Sequence, residues 1–379
     1  MSTITIDYTA AYEQGGGIGR YVRELVNALA KTPQYHYKLF VSGTNGRDLP
    51  DLSNSAFEWK STLISSVWLA RFWHRLHLPL PIEYFCGNTD LFHATDFVLP
   101  PTKSTTKTIL TVHDLSFVRV PETASPALKS YLDYVVPRSI KAANHILADS
   151  QATKEDLMEI YKTPEEKISV LLSGIDESFE PITDIRTIQS IKEQYLIPNK
   201  PYLFTVGTVQ PRKNYSRVIH ALANLRKQGH DLILVIAGGK GWLEDEMHYT
   251  IHETHMDDYV FLIGYADDED LSALYSGSEC VVFPSLYEGF GFPVLEAMAC
   301  GKPVITSNIS SLPEVAGDAA IMIDPYDVNA LTKAIIDIIE NTSLREDMIQ
   351  RGFQHLQNFS WSKSADQLQN LYTRILETN

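Results

Sequence analysis

The chain has 379 residues, 44% of them hydrophobic, and a formal net charge of −15. That length suits two ordinary domains with substantial cores, so disulfide or metal staples are not needed. The acidic excess is uneven: residues 1–150 carry 14 Lys and Arg against 13 Asp and Glu, and the remainder carries 18 against 34, which disfavours general nucleic-acid binding because phosphate contacts need clustered cations.

Cys86, Cys280 and Cys300 are far apart and show neither CxxC nor Cys/His ligand spacing, which suits a reducing compartment. The opening MSTITIDYTAAYEQGGG has no basic region and no long apolar run, so it does not read as a secretory signal. No run of about 18 apolar residues reads as a membrane span. A cytoplasmic location is expected, and the nearly neutral first half admits peripheral contact with the inner face of a membrane.

Taken in chain order, TITIDY opens a series of strand–helix units. QGGGIGRYVRELVNAL follows as a glycine-rich turn leading into an amphipathic helix. It resembles a dinucleotide fingerprint, but Val22 stands where a third glycine should follow Gly17 and Gly19, which argues against a Rossmann oxidoreductase. A plain tight turn and a ligand-facing loop both fit it. After the strand KLFVS, the stretch SSVWLARFWHRLHLPLP (residues 65–81) interleaves Trp68, Phe72 and Trp73 with Arg71, His74, Arg75 and His77. It reads first as an ordinary helix with its apolar face on the core, and second as an interfacial membrane segment.

DLFHA, TILTVHD and NHILADS continue the series. His93 reads as structural. His113 and Asp114 end a buried strand, where a histidine is either a satisfied structural residue or a cleft-facing one, and Asp114 is expected to hold the loop or the imidazole. Residues 175–200 are polar and form a candidate linker. The series then restarts with PYLFTVGT, DLILVIAGG, YVFLIGY, ECVVFPS, KPVITS and AAIMIDP, uninterrupted apolar runs of the kind found in parallel strands covered on both faces. FSWSKSADQLQNLYTRILETN reads as an amphipathic C-terminal helix. The expected architecture is α/β, with two Rossmann-like domains at residues 1–180 and 181–360 facing across a cleft beyond the carboxyl ends of their strands.

Within the second series, LYEGFGFP joins the strand ECVVFPS to the helix VLEAMAC. Gly289 and Gly291 let the backbone approach a ligand and present amide donors to a phosphate, and Pro293 suits the first helical position. The two carboxylates need other guests. Glu296, expected in the first helical turn where the dipole favours its charge, can accept both hydroxyls of a ribose diol. Glu288 can accept hydroxyls of a second polyol or stabilise positive charge on a sugar ring. Phosphate flanked by diols describes a nucleotide-sugar, although singly the two acids also read as a helix cap and an exposed loop acid. In TVGTVQPRKNY, the adjacent cations Arg212 and Lys213 suit a diphosphate leaving group. Asp268-Glu269-Asp270 has the D-x-D form of metal-binding acids, but DDEDLSALY reads as a helix start capped by Asp267, so no metal is expected.

Glu288 and Glu296, with seven residues between them in EGFGFPVLEAMACGKPVITS, resemble the E-x7-E signature of the retaining glycosyltransferases of family 4, which have the GT-B fold. The resemblance covers nearly the whole chain: a glycine-rich first loop, a strand-end His, a basic pair and E-x7-E come in the family's order. It implies that Gly16 and Gly17 approach the transferred sugar and the diphosphate, and that His113 contacts the donor sugar and is needed for activity. It further implies catalytic roles for Glu288, Arg212 and Lys213, with the Gly289, Phe290 and Gly291 amides on the diphosphate and Glu296 on the ribose. The first domain would bind a sugar or lipid-linked acceptor, and helix 361–379 would cross back onto it. TVHDLSFVRVPE and GIDESFEP resemble a subgroup containing mannosyltransferases of polysaccharide assembly, which implies GDP-mannose as co-substrate with no other cofactor. A UDP-glucose-type donor and a non-catalytic nucleotide-sugar-binding protein stay open as alternatives.

Overall fold

A computed structural model describes residues 2–44, 49–51, 54–76 and 78–378. The first sheet contains β1 (Thr3–Asp7), β2 (His36–Ser42), β3 (Phe57–Thr62), β4 (Leu91–Ala94), β5 (Lys107–Val112), β6 (His145–Ala148) and β7 (Ile168–Val170), in the order β3-β2-β1-β4-β5-β6-β7. The second contains β8 (Tyr202–Val206), β9 (Ile233–Ala237), β10 (Val260–Gly264), β11 (Cys280–Phe283), β12 (Val304–Ser307) and β13 (Ile321–Ile323), in the order β10-β9-β8-β11-β12-β13. The strand pairings within both are parallel. These are the two Rossmann-like sheets that the apolar runs predict.

The predicted strands are present, and two more join the first sheet at its edges. FEWKST in β3 places polar residues at every second position, and β7 is only three residues long, so neither shows the continuous apolar run of a central strand. In each sheet the strand order reverses beside its first strand, between β1 and β4 and between β8 and β11. Such switch points are where α/β sheets bind ligands.

The chain divides into two compact units. One comprises Met1–Leu115, Pro126–Gly174 and Ser360–Asn379; the other comprises Ser116–Ser125 and Ile175–Phe359.

In the first unit the C-terminal helix Trp361–Glu377 packs against the helix Gly17–Lys31. Gln369 Oε1 accepts the Gln34 N–H (2.9 Å) and the Tyr37 hydroxyl (3.1 Å). The Tyr372 hydroxyl lies 2.8 Å from His93 Nδ1, and His93 Nε2 lies 2.9 Å from Thr111 Oγ1. Burial, together with the nearby His113, lowers the His93 pKa to about 3, so this ring is a neutral core member, as its sequence context suggests.

The stretch 65–81 departs from its first reading. Its helix, Ser66–Ala70, buries only Leu69, and the π-helical turn Arg71–Arg75 that follows buries no residue. Leu63, Val67, Trp68, Leu76 and Leu78 are exposed, as is nearby Tyr84, and the Arg71 guanidinium sits 4.8 Å from the Trp68 ring centre. Five residues make too short a helix for a full apolar stripe, and the change from α to π winding breaks the 3.6-residue period. His77 lies outside the described residues.

In the second unit, residues 175–200 are not a bare connection. They contain the helix Ile185–Gln194, capped by Asp184, and the Gln194 amide and Tyr195 hydroxyl both donate to Asp270 Oδ2 (2.8 and 2.7 Å). Asp268, Glu269 and Asp270 form the first turn of the helix Asp268–Ser276, with Asp267 at its N-cap position. Among the described residues, no group of three or more His, Cys, Asp or Glu side chains is placed to hold a metal ion.

Candidate active site

In the second unit, β8 runs into Gly207, whose φ of +144° favours glycine and where a Cβ would lie 2.9 Å from Lys213 Cε. The loop then tightens into the 3-10 turn Pro211–Lys213. This turn carries both cations to the Glu288 carboxylate: Arg212 Nη1 is 2.6 Å from Oε2 and Lys213 Nζ is 2.8 Å from Oε1. All three residues are largely buried, and Lys213 Nζ also sits 4.7 Å from the Phe283 ring centre. Burial alone would raise the Glu288 pKa, but the charges and hydrogen bonds of Arg212 and Lys213 reverse that and hold it at about 2. The sequence suggested separate partners for the cations and for Glu288. The structure joins them in one triad that keeps a net single positive charge. Asn214 braces it by donating to the carbonyls of Pro284 and Pro325, each at 2.8 Å.

The glycine loop after β11 is held by two serines that the sequence did not single out. Ser310 Oγ accepts the Glu288 N–H (3.0 Å), and the Ser311 hydroxyl is 2.9 and 2.7 Å from the carbonyls of Glu288 and Phe290. Gly291 adopts φ +115° at the N-cap of the helix Phe292–Ala299, and a Cβ there would lie 2.8 Å from Leu312 Cδ2. None of the N–H groups at 289–291 donates to a backbone carbonyl among the described residues, which suits an anion at the switch point.

Glu296 needs a correction. The helix begins at Phe292, with Pro293 second, so Glu296 is the fifth residue and no acid occupies the first turn. What orients its buried carboxylate is the Tyr275 hydroxyl, which donates to Oε2 at 2.7 Å. The aromatic rings of the loop are occupied with protein neighbours. Phe290 packs edge-on against Phe292 and Phe359 (5.2 and 6.0 Å between centres), and Tyr287 packs with Val120 and Leu286.

In the first unit, Gly16 caps the helix Gly17–Lys31, and a Cβ at Gly16 would meet nothing within 4 Å. At Gly19 it would fall 2.1 Å from the Gln14 carbonyl oxygen. Gly19 is therefore required by packing, whereas Gly16 faces open space.

His113 stands just beyond β5, 5% exposed. Its Nδ1 is 2.7 Å from Asp149 Oδ2 and its Nε2 is 2.8 Å from the Thr95 carbonyl oxygen. Burial disfavours charge on the ring, but Asp149, joined by Asp96, outweighs it and raises the His113 pKa to about 9. The imidazole is therefore held by Asp149 rather than by Asp114, its neighbour in sequence. The parallel register explains this, because Val112 pairs with Ala148 and so brings the next residues of both strands together. With both nitrogens engaged by the protein, His113 reaches a sugar hydroxyl only by sharing or exchanging the bond to Thr95.

Two Rossmann-like units with a basic pair, a glycine loop and an E-x7-E pair at the carboxyl ends of their strands define a glycosyltransferase of the GT-B class. Residues 15–179 match the family described as Glycosyltransferase Family 4, and residues 187–355 match Glycosyl transferases group 1. The chain belongs to these glycosyltransferases. It is 29% identical over 366 residues to O-antigen chain mannosyltransferase B of Escherichia coli, an alignment covering 94% of this chain and 95% of the relative. Among solved structures, sucrose-phosphate synthase from Thermosynechococcus elongatus shares the fold with a TM-score of 0.77 at 21% identity, covering 100% of both chains. Anabaena HepE, in complex with UDP and glucose, shares it with a TM-score of 0.71 at 18% identity, covering 98% of this chain and 99% of that one.

Proposed function

We propose that the protein transfers a mannosyl group from GDP-mannose to a hydroxyl of a growing glycan or lipid-linked acceptor in polysaccharide assembly, with retention of anomeric configuration. The observation that carries this reading is the buried triad of Glu288, Arg212 and Lys213, with its net positive charge beside free loop amides. It is an electrostatic seat for a diphosphate whose charge grows as the glycosidic bond breaks. Glu296, oriented by Tyr275, would take the ribose diol. Gly16 and Gly17 would approach the sugar, and His113 would donate to one of its hydroxyls. The mannose assignment is supported by the near full-length similarity to an O-antigen mannosyltransferase. The cations take the part that a metal would otherwise play, and the protein would act in the cytoplasm.

The test is calorimetric binding of GDP, UDP, ADP and TDP in the presence of chelator, followed by incubation with the matching nucleotide-sugars. GDP should bind most tightly, and GDP-mannose should be slowly hydrolysed with or without chelator. Tightest binding of UDP would instead favour a UDP-glucose-type donor. Binding with no turnover, even with acceptor glycans, would make the protein a nucleotide-sugar sensor, and absence of binding would sink the whole reading.

A further inference from the structure

The His113–Asp149 pair is a buried polar feature of the first unit, joined through Asp149 Oδ2, while Oδ1 has no hydrogen-bond partner among the described residues. His113 faces two acceptors, a carboxylate at 2.7 Å and a main-chain carbonyl at 2.8 Å. A singly protonated imidazole beside a carboxylate can satisfy only one of them, so the pair must hold two protons between His113 and Asp149. Aromatic rings and a second acid complete its surroundings. From the helix Gly17–Lys31, Tyr21 packs edge-on at 5.1 Å, and Phe97, after β4, does so at 5.5 Å. His93 in β4 is tied to Tyr372 and Thr111. Asp96, beyond β4, and Asp149 act on the ring by charge, and Asp114 in turn acts on both of these acids. Asp149 is itself 4% exposed and immediately precedes Ser150, whose hydroxyl caps the helix Gln151–Tyr161 through the Thr153 N–H (3.1 Å). Both members of the pair thus sit on fixed backbone.

We propose that Asp149 is a positioning residue for the transfer reaction: it holds His113 as a cationic ring whose Nε2–H is a donor, never a base, for a hydroxyl of the bound sugar. This rests on the reading of His113 as a sugar contact. A neutral ring fixed through Nδ1–H would present a bare Nε2 and could accept the hydroxyl proton. The cationic ring can only donate, so the hydroxyl it meets must present its oxygen, and deprotonation should abolish the contact rather than improve it.

The experiment pairs a pH profile with a direct observation of the ring in the full chain. Long-range 1H–15N spectra, with His113 assigned from the His113→Gln difference, should show both ring nitrogens protonated at pH 8 in the wild type. In Asp149→Asn the ring should titrate well below the wild type, because burial then opposes its charge without the Asp149 carboxylate. The kcat/KM for donor turnover should hold through pH 8 in the wild type. In Asp149→Asn the alkaline limb should move down by roughly two pH units, a loss of about 10-fold or more at pH 8. A neutral His113 in the wild type at pH 8 would overturn the proposal, and that spectrum decides it even if the variant does not fold. An unmoved alkaline limb in a folded, active variant would overturn it as well. A wild type that turns over no nucleotide-sugar, while its His113 is protonated, would instead locate the failure in the proposed function.

Discussion

Glu288 is enclosed by two largely buried cations, so its substitutions should touch both chemistry and stability. Glu288→Gln keeps the shape and should lower donor turnover by roughly 100-fold or more, because a preorganised charge has gone. Glu288→Ala should do the same, and both variants should lower stability, because each removes the buried negative charge that Arg212 and Lys213 face. Thermal melting beside steady-state kinetics reads the two effects, and a Gln or Ala variant as stable as the wild type would contradict the triad. The pH dependence has a definite sign. The folded-state pKa of about 2 lies below the ordinary 4.5, so the stabilisation is complete above about pH 4.5 and is lost as pH falls towards 2. Glu288, Arg212, Lys213 and Glu296 were singled out because their spacing survives as linear pattern, although the ion pairs joining the first three and the helical position of Glu296 escaped it. Asp149, Tyr275, Ser310 and Ser311 were not, because they reach the site across the sheet or from another helix. Asp149 was nonetheless recoverable, since aligning the strands TILTVHD and NHILADS in parallel register sets it beside His113.

At the level of single elements, the central strands were read from their apolar runs, whereas the edge strands β3 and β7 carried too little apolar signal. The helix Ser66–Ala70 shows how a basic-aromatic stretch can mislead in the other direction. Its composition fits a core-facing helix, but its winding leaves Val67, Trp68, Leu76 and Leu78 in solvent beside Arg71 and Arg75. Such a surface suits the interface of an anionic bilayer, where apolar rings enter the headgroup region and arginines meet lipid phosphates. We therefore expect the protein to co-float with vesicles containing anionic lipid and to dissociate at high salt. Trp68→Ser combined with Arg71→Glu and Arg75→Glu should abolish flotation while leaving nucleotide binding unchanged. Equal flotation of this variant would refute a membrane role for the stretch. No helix among the described residues is long and apolar enough to cross a membrane, so any such attachment by these helices would be peripheral.

For the molecule as a whole, the two-domain α/β plan was visible in the double series of strand–helix units, and the return of the last helix onto the first unit was implied by the family resemblance, but the grouping of Ser116–Ser125 with the second unit was not. Contacts alone group Ser116–Ser125 with the second unit and the last helix with the first. No local pattern records that, because it depends on which surface each amphipathic face finds. The last helix supplies Gln369 and Tyr372 to Tyr37 and His93. A chain stopped after Phe359 should therefore lose hydrogen-exchange protection in β2, β4 and β5 while keeping it in β8, β9 and β11. Equal protection in the shortened and complete chains would show that the helix is dispensable.

The same arrangement has a consequence for how the protein is made. Ile175–Phe359 and the earlier Ser116–Ser125 have all been synthesised before the final helix, so the second unit has every residue it needs while translation continues. The first unit, whose β1 precedes every strand of the second, waits for the helix Trp361–Glu377 before His93 and Tyr37 find their partners. The unit whose strands are made first is therefore completed after the other, and a ribosome that stalls before Trp361 holds a chain whose second unit has all its residues while its first does not.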